Sequence, residues 1–256
     1  MLLEVKDLCK SFGGVKAVNN VSLSIGEHEL ISMIGPNGAG KTTFFNLVSG
    51  VYPVSSGTIS FCGKEIQNQP LNRITHYGMA RTFQNIRLFK GLSVLENVLI
   101  SRDCKAKYGI FDALFNTPRR RRIDHQNREE CMTYLEQVGI ADYYNESTDN
   151  LPYGIQRKVE LARALSVHPK LLLLDEPAAG LNPKEVSDFI NLIERLFQSN
   201  HYSIMLIEHR MAVVNQLSQR IYVLNFGELL AQGTPEEIRN NPDVLKAYIG
   251  EEGTNP

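Results

Sequence analysis

Nine residues, GPNGAGKTT at 35–43, constrain what this chain can fold into more than any other stretch. Gly35, four residues, then Gly40, Lys41 and Thr42 is the spacing of a phosphate-binding loop, a pattern that needs a strand before it and a helix after it. HELISMI at 28–34 reads as that buried strand, and TTFFNLVSG at 42–50 continues as that helix. Gly35, Gly38 and Gly40 allow backbone conformations closed to most residues, so successive N–H groups can turn toward one anion. The candidate cradle therefore runs from Gly35 through Pro36, Asn37, Gly38, Ala39 and Gly40 to Lys41, Thr42 and Thr43. Lys41 adds a point charge for terminal phosphates, Thr42 offers a hydroxyl to Mg2+, and the helix start faces the anion with its positive end. A chance Lys-Thr after a glycine turn would not explain both flanking elements.

A length of 256 residues suits one large α/β domain carrying a satellite subdomain, and 43% apolar residues can fill a substantial core. The net charge of −1 argues against binding nucleic acid or anionic lipid through bulk electrostatics. Cys9, Cys62, Cys104 and Cys131 are too far apart for a zinc pair and too few for a disulfide framework, so they read as reduced thiols of a cytosolic protein. Glu4 and Asp7 interrupt any signal-peptide core, and no stretch approaches the roughly 18 apolar residues of a membrane span. Membrane association is expected only through another protein.

Residues 2–25 alternate loosely and turn at Gly13 and Gly14, which predicts antiparallel strands; GTISFCGKEI at 57–66 predicts a second hairpin. Phe12 stands in a turn ahead of the loop strand, where it could stack on a base or simply pack as a turn aromatic. Gln84 sits in a polar link between apolar runs. From Leu92 to about Ile140 the pattern is helical, irregular through IFDALF, with Met132, Leu135 and Val138 on one face and Gly139 as terminator. The arginines of TPRRRRI at 117–123 read first as a solvated face. LPYGIQRKVELARALSVHP predicts a turn followed by a helix. KLLLLDEPAAG shows four leucines without alternation, the mark of a strand buried on both faces of a parallel sheet. Asn182, Pro183 and Glu185 resemble a helix start, with Val186, Phe189, Ile190, Ile193, Leu196 and Phe197 as its apolar stripe. YSIMLI at 202–207 is another buried strand, IYVLNFGELLAQG a last hairpin, and Pro235 opens a short helix.

A phosphate loop followed by an apolar strand ending in acid describes a nucleotide site with its metal partner. Asp175 is the candidate Mg2+ holder, and Glu176 the candidate general base for water attacking a terminal phosphate, a contribution of typically ~10² to 10⁴-fold. The plain alternative for the pair is a helix cap. His209 follows the 202–207 strand; if that strand is parallel to its neighbours, His209 leaves the carboxyl edge, where open α/β sheets place ligands.

Taken in order, these motifs resemble the nucleotide-binding subunit of ABC transporters over essentially the whole chain. The match has Walker A at 35–42, Gln84 as the Q-loop glutamine, LPYGIQ at 151–156 in the signature position, LLLLDE at 171–176 as Walker B, and His209 as the H-loop histidine. RTFQNIRLF, LPYGIQRKVELAR, DEPAAGLNP, LIEHRM and GTPEEIRNNPDVLKAYIG look like the LivG-type ATPases of branched-chain amino acid importers. The resemblance implies an α/β fold: a P-loop NTPase (RecA-like) core, an antiparallel β subdomain and an inserted α-helical subdomain. It implies a catalytic lobe at about 1–87 and 159–249, a helical subdomain at about 88–158 that meets the membrane partner, and a polar tail at 250–256. It assigns catalysis to Glu176, His209, Gln84 and Lys41, metal binding to Thr42, Gln84 and Asp175, and nucleotide binding to the cradle with Phe12 and Val18. Tyr153 and Gly154 are expected to complete the ATP site of a second ATPase subunit, an identical chain or a LivF-like paralogue. The remaining implied partners are two membrane permease subunits and, indirectly, an extracytoplasmic solute-binding protein, which places the chain at the cytoplasmic face of the cell membrane; nucleic acid is not among them.

Two segments depart from the family pattern. The usual signature, Leu-Ser-Gly-Gly-Gln, carries Pro152, Tyr153 and Ile155 in place of its serine, first glycine and glutamine, while Gly154 and the helix start behind it keep backbone donors. Asn182 stands where an aspartate is usual. A non-transport ABC ATPase is the first competing function, but such proteins usually carry two cassettes or long coiled-coil insertions, absent here. A GTP-reading switch is the second, and no Asn-Lys-x-Asp element is present.

Overall fold

A computed structural model describes residues 1–103, 117–199 and 202–252. Strands β1 (Leu3–Phe12), β2 (Val15–Ile25), β4 (Ser56–Phe61) and β5 (Lys64–Glu65) form an antiparallel sheet in the order β2-β1-β4-β5. β3 (Leu30–Ile34), β6 (Met79–Arg81), β7 (Leu171–Asp175), β8 (Ser203–Ile207), β9 (Arg220–Asn225) and β10 (Glu228–Gly233) form a second sheet, ordered β10-β9-β3-β8-β7-β6. All neighbours from β9 to β6 run parallel, and the hairpin strand β10 is antiparallel to β9.

Period-2 side-chain alternation divides the second sheet between two cores. Ile31, Met33, Leu171, Leu173, Met205 and Ile207 face one way, onto Phe44 and Phe45 of α1 (Lys41–Val48) and the inner side of the antiparallel sheet. Leu30, Leu172, Leu174, Ile204 and Leu206 face the other way, onto the helices. These are α3 (Val94–Asp103), α4 (Pro118–Gln137), α5 (Tyr153–Leu165) and α6 (Pro183–Ser199). Every residue of β3, β7 and β8 is buried, as strands covered on both faces must be. Val98, Cys131, Leu135 and Val159 belong to the same cluster as Leu172 and Ile204, so the helical region shares its core with the sheet. A smaller cluster joins Ile221 and Val223 to α7 (Met211–Leu217), α8 (Pro235–Arg239) and α9 (Pro242–Glu252).

Several local structures differ from the sequence reading. The arginines at 119–122 are the opening turns of α4, one continuous helix capped by the Thr117 side chain, rather than a link before it; IFDALF at 110–115 and Cys104 lie outside the described residues. Three of these four arginines are exposed and Arg120 is half-buried, which fits the solvated-face reading. α2 (Leu71–Tyr77) and the three-residue strand β6 were not legible, because a strand of three residues carries too little alternation to register. Gly139, at φ +70°, does terminate α4, with its amide on Glu136 O. α9 continues to Glu252, into the polar tail at 250–256.

Candidate functional site

Because β3, β6, β7 and β8 are parallel, the loops that leave their carboxyl ends gather along one edge. β3 delivers Gly35, β7 delivers Glu176, β8 delivers Glu208 and His209, and β6 leads through Thr82 and Phe83 to Gln84. β8 lies between β3 and β7, which sets His209 between the phosphate loop and the acidic pair.

Two glycines of the loop have no space for a side chain. A Cβ on Gly35 would lie 2.1 Å from Leu224 O, and one on Gly40 2.3 Å from Ala17 O, both at positive φ. Gly40 provides no side-chain cap to α1, so the first N–H groups of that helix are left for an external acceptor. Lys41 is nearly buried, with Nζ donating to Gly35 O (2.6 Å) and Pro36 O (2.8 Å), which centres an ammonium within the loop. Asn37, Gly38 and Thr42 are exposed at its mouth, Thr43 is half-buried, and Pro36 and Ala39 are buried beneath.

Asp175 is 2% exposed at the end of β7, and its Oδ2 is paired with Arg81 Nη2 at 2.7 Å. Arg81 is itself 4% exposed at the side chain and donates to Asn46 Oδ1 (2.7 Å) and Ser49 Oγ (2.9 Å) of α1. The second carboxylate oxygen, Asp175 Oδ1, is buried without a hydrogen-bond partner. Buried carboxylate oxygens are rarely left that way. An unpaired carboxylate oxygen at the carboxyl edge of the sheet fits a divalent cation, for which Thr42 and Gln84, both exposed, would be the further protein ligands. No cluster of three or more His, Cys, Asp or Glu side chains suited to a metal occurs among the described residues, so such an ion would need phosphate oxygens to complete its shell.

Glu176 adopts φ +47°, a left-handed conformation unusual outside glycine, and its amide donates to Ile207 O (3.0 Å). That turn carries its carboxylate to Gln84, whose Nε2 donates to Glu176 Oε2 at 2.9 Å. Glu208, fully buried, accepts from Ala178 N (3.0 Å), His209 N (3.1 Å) and Arg210 N (3.3 Å), and so ties the loops after β7 and β8 together; His209 itself is exposed.

Phe12 is 44% exposed, edge-on to Tyr52 with ring centroids 5.5 Å apart and Lys10 Nζ 5.0 Å from its centroid. It therefore has exposed surface for a base. Val18 does not: it is fully buried against the inner core and offers no surface, so its expected contact is not supported by its placement.

The signature segment opens α5. Pro152 is the N-cap, its carbonyl accepting from Ile155 N and Gln156 N. Tyr153 is 42% exposed and lies against Gly180, where an added Cβ would come 2.8 Å from its ring. Gly154 rests against the Glu185 carboxylate, where an added Cβ would come 2.9 Å from Oε1. Asn182 and Glu185 cap α6 reciprocally, Glu185 N to Asn182 Oδ1 (3.0 Å) and Asn182 N to Glu185 Oε2 (2.9 Å), so asparagine replaces the usual aspartate with its capping acceptor kept. The sequence reading missed Arg81, Arg157 and Glu160, whose partners are far away in the chain; only their position in otherwise apolar or helical runs hinted at burial.

The chain was compared with known proteins. The ABC transporter family profile matches residues 18–179, and that of the branched-chain amino acid ATP-binding cassette transporter matches residues 228–254. The high-affinity branched-chain amino acid transport ATP-binding protein LivG of Salmonella typhimurium is 48% identical over 250 residues, 98% of each chain. BraF of Pseudomonas aeruginosa, of the same description, is 46% identical over the same shares. A crystal structure of the ADP conformation of an ATP-binding cassette superposes with a TM-score of 0.84 at 30% identity, covering 97% of this chain and 98% of that one. A nucleotide-free cassette superposes equally well at 32% identity, covering 97% and 99%. This chain belongs to the ABC transporter family, in its group of ATP-binding cassettes.

Proposed function

We propose that the chain is the ATP-hydrolysing subunit of an importer of branched-chain or other small amino acids. The observation that carries the chemistry is the meeting, at one sheet edge, of the glycine cradle, the Asp175–Glu176 pair and His209, with Gln84 hydrogen-bonded to Glu176. ATP would be held by the amides and Lys41 of the loop, its base against Phe12. Thr42, Gln84 and Asp175 would hold Mg2+, which when bound neutralises negative charge on the transferred phosphoryl group. Glu176 accepts the proton of the attacking water, with its carboxylate oriented by the Gln84 amide, and His209 flanks the same phosphate.

One phosphate loop and one signature segment per chain suit a pair of cassettes, an identical copy or a paralogue, in which Tyr153 and Gly154 of each close over the other's nucleotide. No helix among the described residues is long and apolar enough to cross a membrane. On this reading the pair sits on the cytoplasmic side of two permease subunits fed by a solute-binding protein. The likeness to LivG and BraF supports branched-chain amino acids as the solute.

The test is to identify the membrane proteins that copurify with the tagged chain and to reconstitute them in vesicles. ATP-dependent uptake of labelled leucine, lost when the chain carries Glu176→Gln, supports the proposal. Purification without any membrane protein, or uptake indifferent to ATP, overturns it.

A further inference from the structure

Arg157 lies one turn into α5 from the exposed Tyr153, yet it is only 4% exposed. Its guanidinium reaches out of the helix to the segment that leaves β6. Nη1 donates to Phe83 O at 2.9 Å; Nη2 donates to Gln84 O and to Tyr153 Oη at 2.8 Å. The guanidinium carbon also lies 5.2 Å from the centroid of the Tyr153 ring. Glu160, three residues on and 5% exposed, accepts from Phe83 N at 3.2 Å and from Arg157 Nη1 at 3.3 Å. Both polar backbone groups of Phe83 and the carbonyl of Gln84 are thus gripped by two side chains of one helix face.

Burying an ion pair is costly unless geometry and hydrogen bonding compensate for it. Burial pushes the Glu160 carboxyl above its ordinary range, and the Phe83 amide and the Arg157 guanidinium pull it back. Such a pair contributes little to stability over an apolar pair, and its particular effect here is to fix one backbone segment. That segment ends in the side chain that donates to Glu176. A planar five-donor fork can serve three acceptors in fixed directions, which a lysine cannot.

We propose that Arg157, backed by Glu160, is a positioning residue for hydrolysis: it joins Tyr153, on the surface expected to meet the partner's nucleotide, to Gln84 and so sets the reach of the Gln84 amide to Glu176. The inference rests on the function proposed above for Glu176, Gln84 and Tyr153. It links the segment facing one nucleotide to the base acting on the other through a single side chain.

The test uses the full chain and the variants Arg157→Lys, Gln84→Ala, their double variant, and Tyr153→Phe, with kcat and KM for ATP and hydrogen–deuterium exchange measured on each. Arg157→Lys is expected to lower kcat at least tenfold with KM changed less than twofold, and to speed exchange at 82–86. In the Gln84→Ala background it is expected to change kcat by less than twofold, because interacting groups are not additive. Should Arg157→Lys fail to fold, Tyr153→Phe removes one acceptor from an exposed position; a threefold fall in kcat that vanishes in the Gln84→Ala background is expected. Multiplicative losses in the double variant, or a raised KM with kcat unchanged, overturn the proposal. Unchanged exchange at 82–86 overturns it whatever the activity, whereas a wild-type chain without ATP hydrolysis overturns the functional reading beneath it.

Discussion

Gln84 Nε2 donates to Glu176 Oε2 at 2.9 Å, across 92 residues of sequence, joining the loop after the edge strand β6 to the residue that follows β7. Only one carboxylate oxygen of Glu176 is engaged by this bond, and the donor is an exposed side chain able to move. A base oriented by a neutral amide loses rotational freedom. We expect Gln84→Ala to lower kcat about tenfold, a fraction of the 10² to 10⁴ that a general base supplies, with KM for ATP little changed. Steady-state kinetics on the purified chain checks this; an unaltered kcat would mean the contact has no part in hydrolysis.

Phe12 keeps 44% of its surface exposed. Base stacking on an aromatic is worth about 1–3 kcal/mol. Phe12→Ala should therefore weaken ATP binding by about tenfold in a titration while leaving single-turnover hydrolysis at saturating ATP near the wild-type rate.

Arg81 and Asp175 form a fully buried pair at 2.7 Å. Removing one partner leaves an uncompensated charge in the core, a loss of about 3–5 kcal/mol. Arg81→Ala should shift the urea unfolding midpoint down accordingly, and a midpoint equal to wild type would show that solvent reaches Asp175.

Burial pushes the Tyr134 hydroxyl up to about 12, against an opposing pull from Arg102. Its ordinary value is about 10. Below pH 10 both folded and unfolded chains keep the proton, and the contribution to stability is complete. As pH rises from 10 through 12 the unfolded chain has released a proton that the folded chain still holds, so stability falls. Tyr134→Phe should lose less stability between pH 9 and pH 11 than wild type in urea unfolding. Equal losses would place the alkaline sensitivity elsewhere.

The parts of this site legible in the sequence are those that chain-local physics dictates. A glycine loop with three positive-φ glycines, an all-leucine strand ending in Asp175 and Glu176, and the Asn182–Glu185 cap each show themselves within a few residues. The hidden parts are long-range. Arg81 looks like an ordinary strand-end cation until Asp175 arrives from 94 residues away, and Arg157 and Glu160 look like an exposed i,i+3 pair until β6 delivers Phe83 to them. Val18, assigned to the nucleotide by resemblance, is taken up by the inner core, a placement that the residues around it do not announce.

We propose Glu176, turned out of β7 in a left-handed conformation and held by Gln84, as the base for ATP hydrolysis. The most direct measurement is the hydrolysis rate of Glu176→Gln beside its ATP affinity. The account predicts a rate at least 100-fold below wild type with binding retained and an ATP-bound pair of chains stable on size-exclusion chromatography. Turnover at the wild-type rate in that variant would contradict it.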